Sequence, residues 1–278
     1  MKTAIISDVH QNLDKLQIIL KAIKRLGIQN KVFLGDWFDC FDVRATHTET
    51  ANFLRDLIET DPFSKFILGN HDVPYAFNPK IFPCPGFSYE RRIDIGNYLQ
   101  RKHWSEFKLY VKVGNFYCSH AGFSPKFVNP IFGLSDEYIQ FQTQKALDDA
   151  FSGLKTSWLG WGPGRGGSEI VSGITWLDFN SEFEIIENFN QIVGHTIAWK
   201  VRHFWDETSQ NYCMDTNLDH FLVVDDETNE VQIYSTHGIS ISTNDSRQVS
   251  SVKYEDRTSK SKCLFQAKEP TNTPKIIL

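Results

Sequence analysis

The sequence predicts an α/β fold built on a parallel sheet, because short apolar runs alternate with stretches of helical periodicity near the start of the chain. Three of these runs, 3–7, 31–34 and 65–68, are predicted as strands, and each ends abruptly at polar residues. The carboxyl ends of parallel strands meet at one edge of a sheet, where ligands of open α/β folds bind. We therefore expect a functional site at that edge.

Two amphipathic segments supply the predicted connecting helices. In the first, leucine and isoleucine recur at helical spacing over 13–26, and Gly27 follows as a terminator. The second spans 46–60 and places Leu54 and Leu57 on one face. Strand, polar motif and helix thus repeat in order, as a parallel sheet requires.

The later part of the chain predicts a mixed arrangement. Residues 107–113 and 116–119 form a predicted hairpin around Gly114-Asn115, and 135–151 is a predicted helix that begins at Ser135. Further strands are predicted over 192–193, 211–216, 220–224 and 230–234.

We expect one domain over 1–240, followed by a polar tail or strap over 241–278. Two segments rich in proline, glycine or both, 74–90 and 152–173, have no clear period and are predicted as insertions that line a cleft. Residues 240–278 hold seven Lys or Arg against four Asp or Glu, which favours a solvated segment over a nucleic-acid arm.

Composition excludes several classes of protein. Hydrophobic residues at 41% and charged residues at 23% are typical of a soluble globular chain, and no run approaches the roughly 20 apolar residues of a membrane helix. A net charge of −5 argues against a nucleic-acid partner, because such binding depends on Lys and Arg against phosphate. The five cysteines form no CxxC pair, and the apolar run before Asp8 is too short for a signal peptide, so we expect a reducing, cytoplasmic location.

Five short motifs carry the residues that bear on chemistry. They are Asp8-Val9-His10, Gly35-Asp36-Trp37-Phe38-Asp39, Gly69-Asn70-His71-Asp72, Ser119-His120-Ala121-Gly122 and Gly194-His195-Thr196. Together they offer carboxylate, imidazole and amide ligands for two divalent metals, a set that suits the hydrolysis of phosphate esters.

The spacing of these motifs predicts which side chains share a metal. Asp8 and His10 leave one strand end together and are expected at the first metal, while Asp36 bridges both metals. The second metal is expected to take Asp36 and three further ligands, which are Asn70, His120 and His195. Open positions remain for water and substrate, as a catalytic site requires.

His71 and Asp39 are predicted to work together in protonating the leaving group. An imidazole with an ordinary pKa near 6.5 can donate to a departing alkoxide at neutral pH. Asp39, three residues after the bridging Asp36, is expected to orient that ring.

The order of the motifs resembles the calcineurin-like metallophosphoesterases, over roughly residues 3–236. The last motif has one histidine, with Ile197 where the nuclease branch has a second, so it looks like the branch of serine/threonine protein phosphatases and diadenosine tetraphosphatases. The resemblance implies a four-layer α/β/β/α sandwich of two mixed sheets flanked by helices. It also implies two divalent metal ions, manganese first, with iron or zinc as alternatives, and a metal-bridging hydroxide that attacks phosphorus.

The chain departs from that branch at two places. Cys40-Phe41 stands where the branch has an arginine that holds the substrate phosphate. Arg44 is one candidate replacement, and Arg165, within a glycine-rich segment, is the favoured one. Asp215-Thr216-Asn217 is similar to a D-T-G segment of the family, and Asn at the glycine position tolerates left-handed backbone.

The sequence therefore predicts a metal-dependent hydrolase of a phosphomonoester, either a phosphoprotein or a small phosphate ester, or of a dinucleoside polyphosphate. The expected partners are a phosphorylated small molecule, a nucleotide or a phosphoprotein, with no membrane. Two alternatives stay open, a phosphodiesterase or nuclease and a metal-binding scaffold without catalysis. No motif in the sequence identifies the substrate.

Overall fold

The computed structural model describes residues 1–40, 46–127, 133–237 and 251–252. The strands are β1 (Lys2–Ile6), β2 (Asn30–Phe33), β3 (Ser64–Ile67), β4 (Phe107–Lys108), β5 (Tyr110–Val113), β6 (Phe116–Ser119), β7 (Asn190–Val193), β8 (Arg202–Trp205), β9 (Gln210–Cys213), β10 (His220–Asp225), β11 (Val231–Ser235) and β12 (Ser251–Val252). The α-helices are α1 (Leu13–Arg25), α2 (His47–Thr60), α3 (Val73–Ala76), α4 (Tyr89–Gly96), α5 (Arg101–Trp104) and α6 (Asp136–Phe151). Short 3₁₀ turns lie at Pro125–Phe127, Ser157–Leu159 and Pro163–Arg165.

The first sheet has the order β12–β11–β10–β1–β2–β3–β4 in the described chain. β1 to β4 run parallel, with Ile5 opposite Val32, whereas β10 pairs antiparallel with β1 and leads to the antiparallel β11 and β12. The three predicted parallel strands are thus neighbours. Their carboxyl ends lie at one edge, as the sequence predicts.

The second sheet has the order β5–β6–β7–β9–β8 and stacks on the first. An apolar core cluster joins the two sheets, with Ile5, Val32 and Leu222 from the first and Val111 and Ile192 from the second. Burial of these faces removes apolar surface from water, which is the main favourable contribution to folding. The parallel pairs β6–β7 and β7–β9 place the ends of β6 and β7 together.

Helices cover the other face of the first sheet. Ala4 and Ile6 alternate with Ile5 along β1, and they share a core cluster with Leu16 of α1 and Leu54 of α2. α1 begins at the cap residue Asn12, whose side chain accepts a hydrogen bond from the Lys15 backbone, and α2 begins with a capping box at Thr46. Two mixed sheets flanked by helices confirm the predicted fold class.

Three local predictions are wrong. The predicted strand 107–113 divides at Leu109, which is 1% exposed, because β4 pairs with β3 in the first sheet and β5 pairs with β6 in the second. The segment 74–90, in which no regular element is predicted, contains most of α3 and the start of α4, and Ser88 caps α4 by accepting from the Arg91 backbone. β8 was missed because it is an edge strand with no fully buried side chain.

Parts of the predicted organisation fall outside the described residues. These parts are Arg44, Phe41 and all of 241–278 except 251–252, which form β12 beside β11. Within the described ranges, no helix combines the length and the apolar character that crossing a bilayer requires.

Candidate metal centre

The candidate site lies where the carboxyl ends of strands from both sheets meet. Asp8, Asp36 and Asn70 follow β1, β2 and β3, and each is 2% exposed. His120 and His195 follow β6 and β7 of the second sheet. The stacking of the sheets therefore brings together residues that are up to 187 positions apart, as in the hydrogen bond from the His195 backbone to Asp8.

Asp36 is shared by two groups of potential ligands. Its Oδ2 lies 3.5 Å from His10 Nε2 and 3.4 Å from His120 Nε2. The ligand atoms of Asp8, His10 and Asp36 lie within 4.8 Å of one another, and so do those of Asp36, His120 and His195. This is the arrangement expected of a carboxylate between two cations.

In His10 and in His120, the ring nitrogen Nδ1 faces a backbone carbonyl oxygen. His10 Nδ1 lies 2.9 Å from the Phe38 oxygen, and His120 Nδ1 lies 2.8 Å from the Leu34 oxygen. A carbonyl only accepts, so Nδ1 carries the hydrogen in both rings and Nε2 is directed at Asp36. Histidine ligands of metals are commonly oriented in this way.

The donor set fits a cation next to His120. Its Nε2 lies 2.9 Å from Asn70 Oδ1 and 3.2 Å from His195 Nδ1, in addition to Asp36. Burial lowers the pKa of His120, but the Asp36 carboxylate outweighs it and raises that pKa to about 9. The surroundings of Nε2 thus stabilise a positive charge. A metal ion would supply that charge in place of the proton.

His195 differs from His120 in its charge. Burial, and then the charges of His120 and Arg165, lower the pKa of His195 well below its ordinary value. Its ring is therefore neutral, the form that binds a metal. Its Nε2 is buried and has no hydrogen-bond partner within the described chain.

Backbone geometry at the strand ends is unusual. Four predicted site residues have positive φ, namely His10 (40°), Asp36 (51°), Asp39 (61°) and His195 (65°). Such backbone costs of the order of 1–2 kcal/mol per residue, and it concentrates at functional sites. Asn217 also has a φ of 54°, so asparagine preserves the left-handed turn at the place where the family has glycine.

Two motif glycines leave space for the carboxylates. A Cβ on Gly69 would lie 2.2 Å from Asp36 Oδ1, and one on Gly194 would lie 2.2 Å from Asp8 Oδ2. Any larger residue would displace these side chains. The absence of a side chain before Asn70 and before His195 is therefore a steric requirement of the two carboxylates.

Asp72 holds two strand ends together. Its carboxylate accepts hydrogen bonds from the backbone of Asp36 (2.8 Å), Trp37 (2.8 Å) and Gly69 (3.0 Å). Burial, followed by the nearby Asp36 charge, raises the pKa of Asp72 to about 7. The sequence showed Asp72 only as part of a motif and did not indicate this structural role.

The predicted pair of His71 and Asp39 is in place. His71 Nδ1 lies 3.1 Å from Asp39 Oδ2, and the His71 ring lies edge-on to the ring of His10 at 5.2 Å. Burial lowers the pKa of His71, but the Asp36 charge and the hydrogen bond to Asp39 raise it well above its ordinary value. A protonated imidazole thus lies directly beside the proposed ligands.

Asp39 has two further partners that sequence reasoning missed. The hydroxyl of Tyr75 donates to Asp39 Oδ1 at 2.5 Å, and Arg91 Nη1 lies 3.2 Å from the same oxygen. Cys84 lies 3.5 Å from both His71 Nδ1 and Asn70 Nδ2. The segment 74–90 does approach the site, but its sequence gave no signal of which side chains point inward.

Arg165 lies next to the last motif. Its Nη2 donates to Thr196 Oγ1 at 3.0 Å and forms an ion pair with Asp178 Oδ2 at 2.9 Å. Trp176 packs edge-on against His195, with ring centres 6.0 Å apart, and Trp161 packs on Trp176. Two residues of the segment 152–173 thus lie near the last motif, Trp161 through Trp176 and Arg165 through Thr196.

Comparison with known proteins places the whole chain in a family. The model of the calcineurin-like phosphoesterases matches residues 1–278. No match is found among curated protein sequences. Among solved structures, a cold-active protein-tyrosine phosphatase of a psychrophilic Shewanella species is similar, with 18% identity, a TM-score of 0.55, and coverage of 85% of this chain and 78% of that chain. A second structure of a cold-active protein tyrosine phosphatase has 17% identity, a TM-score of 0.51, and coverage of 85% and 77%.

At these identities the structural likeness concerns the fold alone. The family follows from the match over the full length, and the motif order predicted it. The chain belongs to the calcineurin-like phosphoesterases and is a hydrolase acting on phosphate esters.

Proposed function

We propose that this protein is a dinuclear metal-dependent enzyme that hydrolyses a phosphomonoester, of a phosphoprotein or a small molecule, or a dinucleoside polyphosphate. The observation that carries the proposal is the position of Asp36, whose Oδ2 faces His10 and His120 at 3.5 and 3.4 Å. A carboxylate in that position can bridge two cations, and a protonated His71 lies beside it.

The first metal would be held by Asp8, His10 and Asp36. The second would be held by Asp36 and three neutral ligands, which are Asn70, His120 and His195. Oxygen and imidazole ligands suit manganese, iron or zinc. When bound, the two metals would supply an activated water and would neutralise phosphate charge.

His71 would protonate the departing oxygen of the substrate. Asp39 lies 3.1 Å from its Nδ1 and would orient the ring, so that Nε2 would be the atom that gives up the proton. Tyr75 and Arg91 fix Asp39 in turn. Positioned proton transfer of this kind contributes about 10²–10⁴-fold to a rate.

Arg165 would hold the substrate phosphate. It is anchored by Asp178 and Thr196, which places its guanidinium next to the His195 side of the centre. Its side chain is part-exposed, at 29%, so a substrate phosphate would meet its guanidinium at the surface of the site. Arginine binds phosphate through charge-assisted hydrogen bonds.

The test is turnover by the metal-loaded protein. We expect hydrolysis of 4-nitrophenyl phosphate in Mn²⁺, loss of activity with EDTA, and recovery on adding metal. Asp36→Asn should abolish turnover and lower the metal content, whereas the exposed Asp14→Asn in α1 should change neither. Absence of turnover above the Asp36→Asn background, with esters, phosphotyrosine and nucleotides all tried, would contradict the proposal.

The same experiment separates the alternatives. Faster cleavage of bis(4-nitrophenyl) phosphate than of the monoester would favour a phosphodiesterase. A stable protein that binds less than one metal per chain would favour a scaffold. We also propose a reducing, cytoplasmic location, supported by the buried thiols of Cys84, Cys118 and Cys213.

A further inference from the structure

A second cavity lies behind the catalytic pair, outside the candidate metal centre. It is an open cleft with a volume of about 420 Å³, lined by residues of α3, α4, α5 and the end of α6. None of the six proposed metal ligands lines it. Its volume falls within the range of roughly 300–1,000 Å³ that is typical of small-molecule sites.

The charge of this cavity is positive, in contrast to the chain as a whole. Arg92 and Arg101 line it, and none of its described lining residues is Asp or Glu. Neither guanidinium forms an ion pair with a described carboxylate, whereas the neighbouring Arg91 is paired with Asp39. Two unpaired arginines at one cavity favour an anion.

The last carbonyls of α6 form their hydrogen bonds with backbone N–H groups and not with Arg92 or Arg101. The carbonyls of Asp148, Asp149 and Ala150 accept hydrogen bonds from the backbone at Ser152, Gly153 and Leu154. The guanidinium of Arg101 lies over the face of Phe151, 5.0 Å from the ring centre, and forms no ion pair with a described carboxylate. The guanidinium groups are therefore available to a ligand.

Aromatic side chains form the walls of the cavity. Phe77 and Phe151 pack edge to face, with ring centres 4.8 Å apart, and Trp104 also lines the space. The parts of these rings that line the cleft can contact a flat apolar body.

We propose that this cavity binds a small organic anion with an aromatic body, whose phosphate, sulfonate or carboxylate group contacts Arg92 and Arg101. The site also contacts the catalytic pair. Tyr75 lines the cavity, and its hydroxyl donates to Asp39, which holds His71. The ligand therefore influences turnover through Tyr75, a step that rests on the proposed role of His71, whereas binding does not.

The binding test uses 1-naphthalenesulfonate, which has no phosphate ester to hydrolyse. Calorimetric titration of the full-length, metal-loaded protein should show one site per chain. Arg92→Ala and Arg101→Ala should each weaken binding by about tenfold or more, whereas Arg25→Ala, at the end of α1, should leave it unchanged. Arg92→Lys, which keeps the charge, should weaken it less.

Two results would overturn the site. They are no binding at millimolar probe, and binding by both Arg→Ala variants as tight as that of the unaltered protein, with unchanged melting temperatures. Methanesulfonate, which lacks the ring, should bind much more weakly. Equal affinity for the two sulfonates would contradict the aromatic walls.

The coupling has a separate readout. The probe should change the turnover of glycerol phosphate, whose leaving group needs a proton, at least twofold in the unaltered protein, and not in Tyr75→Phe, which should still bind the probe. Binding without any change in rate would overturn the coupling and support the site alone. Binding by a protein that turns over no phosphate ester would contradict the proposed function while the site stands.

Discussion

The imidazole of His71 and the carboxylate of Asp39 lie 3.1 Å apart, although the two residues are 32 positions apart in the chain. The backbone N–H of the same His71 donates to Asp36 Oδ1 at 2.8 Å. One residue is thus tied by its ring to the orienting carboxylate and by its backbone to the proposed bridging carboxylate. The distance between the His71 ring and the proposed bridging carboxylate is therefore fixed by the fold.

If His71 is the acid, its removal should matter most for poor leaving groups. His71→Ala should lower kcat by about 10²–10⁴-fold for an alkyl phosphate such as glycerol phosphate. The loss should be smaller for 4-nitrophenyl phosphate, because nitrophenolate leaves without a proton. The measurement is kcat for both esters together with metal content, which should not change.

The exposed His237 supplies the control for that experiment. His237→Ala should leave both rates unchanged, since its side chain is 73% exposed and lies in no motif. Equal losses for the two esters in His71→Ala would contradict acid catalysis and point to a role in binding.

Asp39 should set the pH range in which His71 is protonated. The hydrogen bond that His71 Nδ1 donates to Asp39 raises the pKa of His71, so Asp39→Asn removes a contribution that favours the imidazolium. The pKa of His71 falls, and the protonated form is lost at a lower pH. The alkaline limb of the kcat profile should therefore move to lower pH in Asp39→Asn, as measured with an alkyl phosphate. An alkaline limb at the same pH in both proteins would show that Asp39 does not control this proton.

Gly194 should be intolerant of a side chain because of its distance from Asp8. An added Cβ would lie 2.2 Å from Asp8 Oδ2 and 2.7 Å from Ser7 Oγ. Gly194→Ala should displace the Asp8 carboxylate, lower the free energy of unfolding by about 1–3 kcal/mol and reduce the metal bound per chain. Urea unfolding and metal analysis measure the two effects.

Gly96 is the matched control for this substitution. It is the last residue of α4, and an added Cβ would meet no heavy atom within 4 Å. Gly96→Ala should be neutral or stabilising by up to about 1 kcal/mol. A Gly194→Ala protein that binds two metals with unchanged stability would refute the steric account.

The candidate ligands could be predicted from sequence because each follows a short apolar run. A buried strand that ends at Asp36 or Asn70 places its last polar residue at the edge of the sheet, whatever the loops do. Histidine, aspartate and asparagine also tolerate the positive φ seen at these turns. Local rules were therefore enough for these positions.

The surroundings of the site could not be predicted in the same way. Tyr75, Cys84 and Arg91 reach the catalytic pair only because the path of residues 74–90 folds back over it, and no period encodes that path. The break at Leu109 likewise depends on the competition of two sheets for one apolar run. Both features are set by tertiary packing, which local sequence periodicity does not encode.

The rim of the site carries two large apolar side chains directly after His195. Ile197 is 66% exposed and Trp199 is 81% exposed. The segment that bears them is held by the backbone bonds Thr196–Gly194 (2.7 Å) and Ala198–Asp215 (2.9 Å). Two exposed apolar residues on a fixed segment beside a phosphate centre are suited to contact an aromatic group of the substrate.

Trp199→Ala should therefore raise KM for an aryl phosphate by roughly two- to tenfold and leave KM for an alkyl phosphate unchanged. Trp205→Ala is the matched control, because Trp205 is also exposed but pairs with Gln210 at the start of β9. That end of the sheet is opposite to His195, since β9 runs parallel to β7. Equal changes for the two esters, or an equal effect of Trp205→Ala, would show that the substrate's aromatic group does not rest on Trp199.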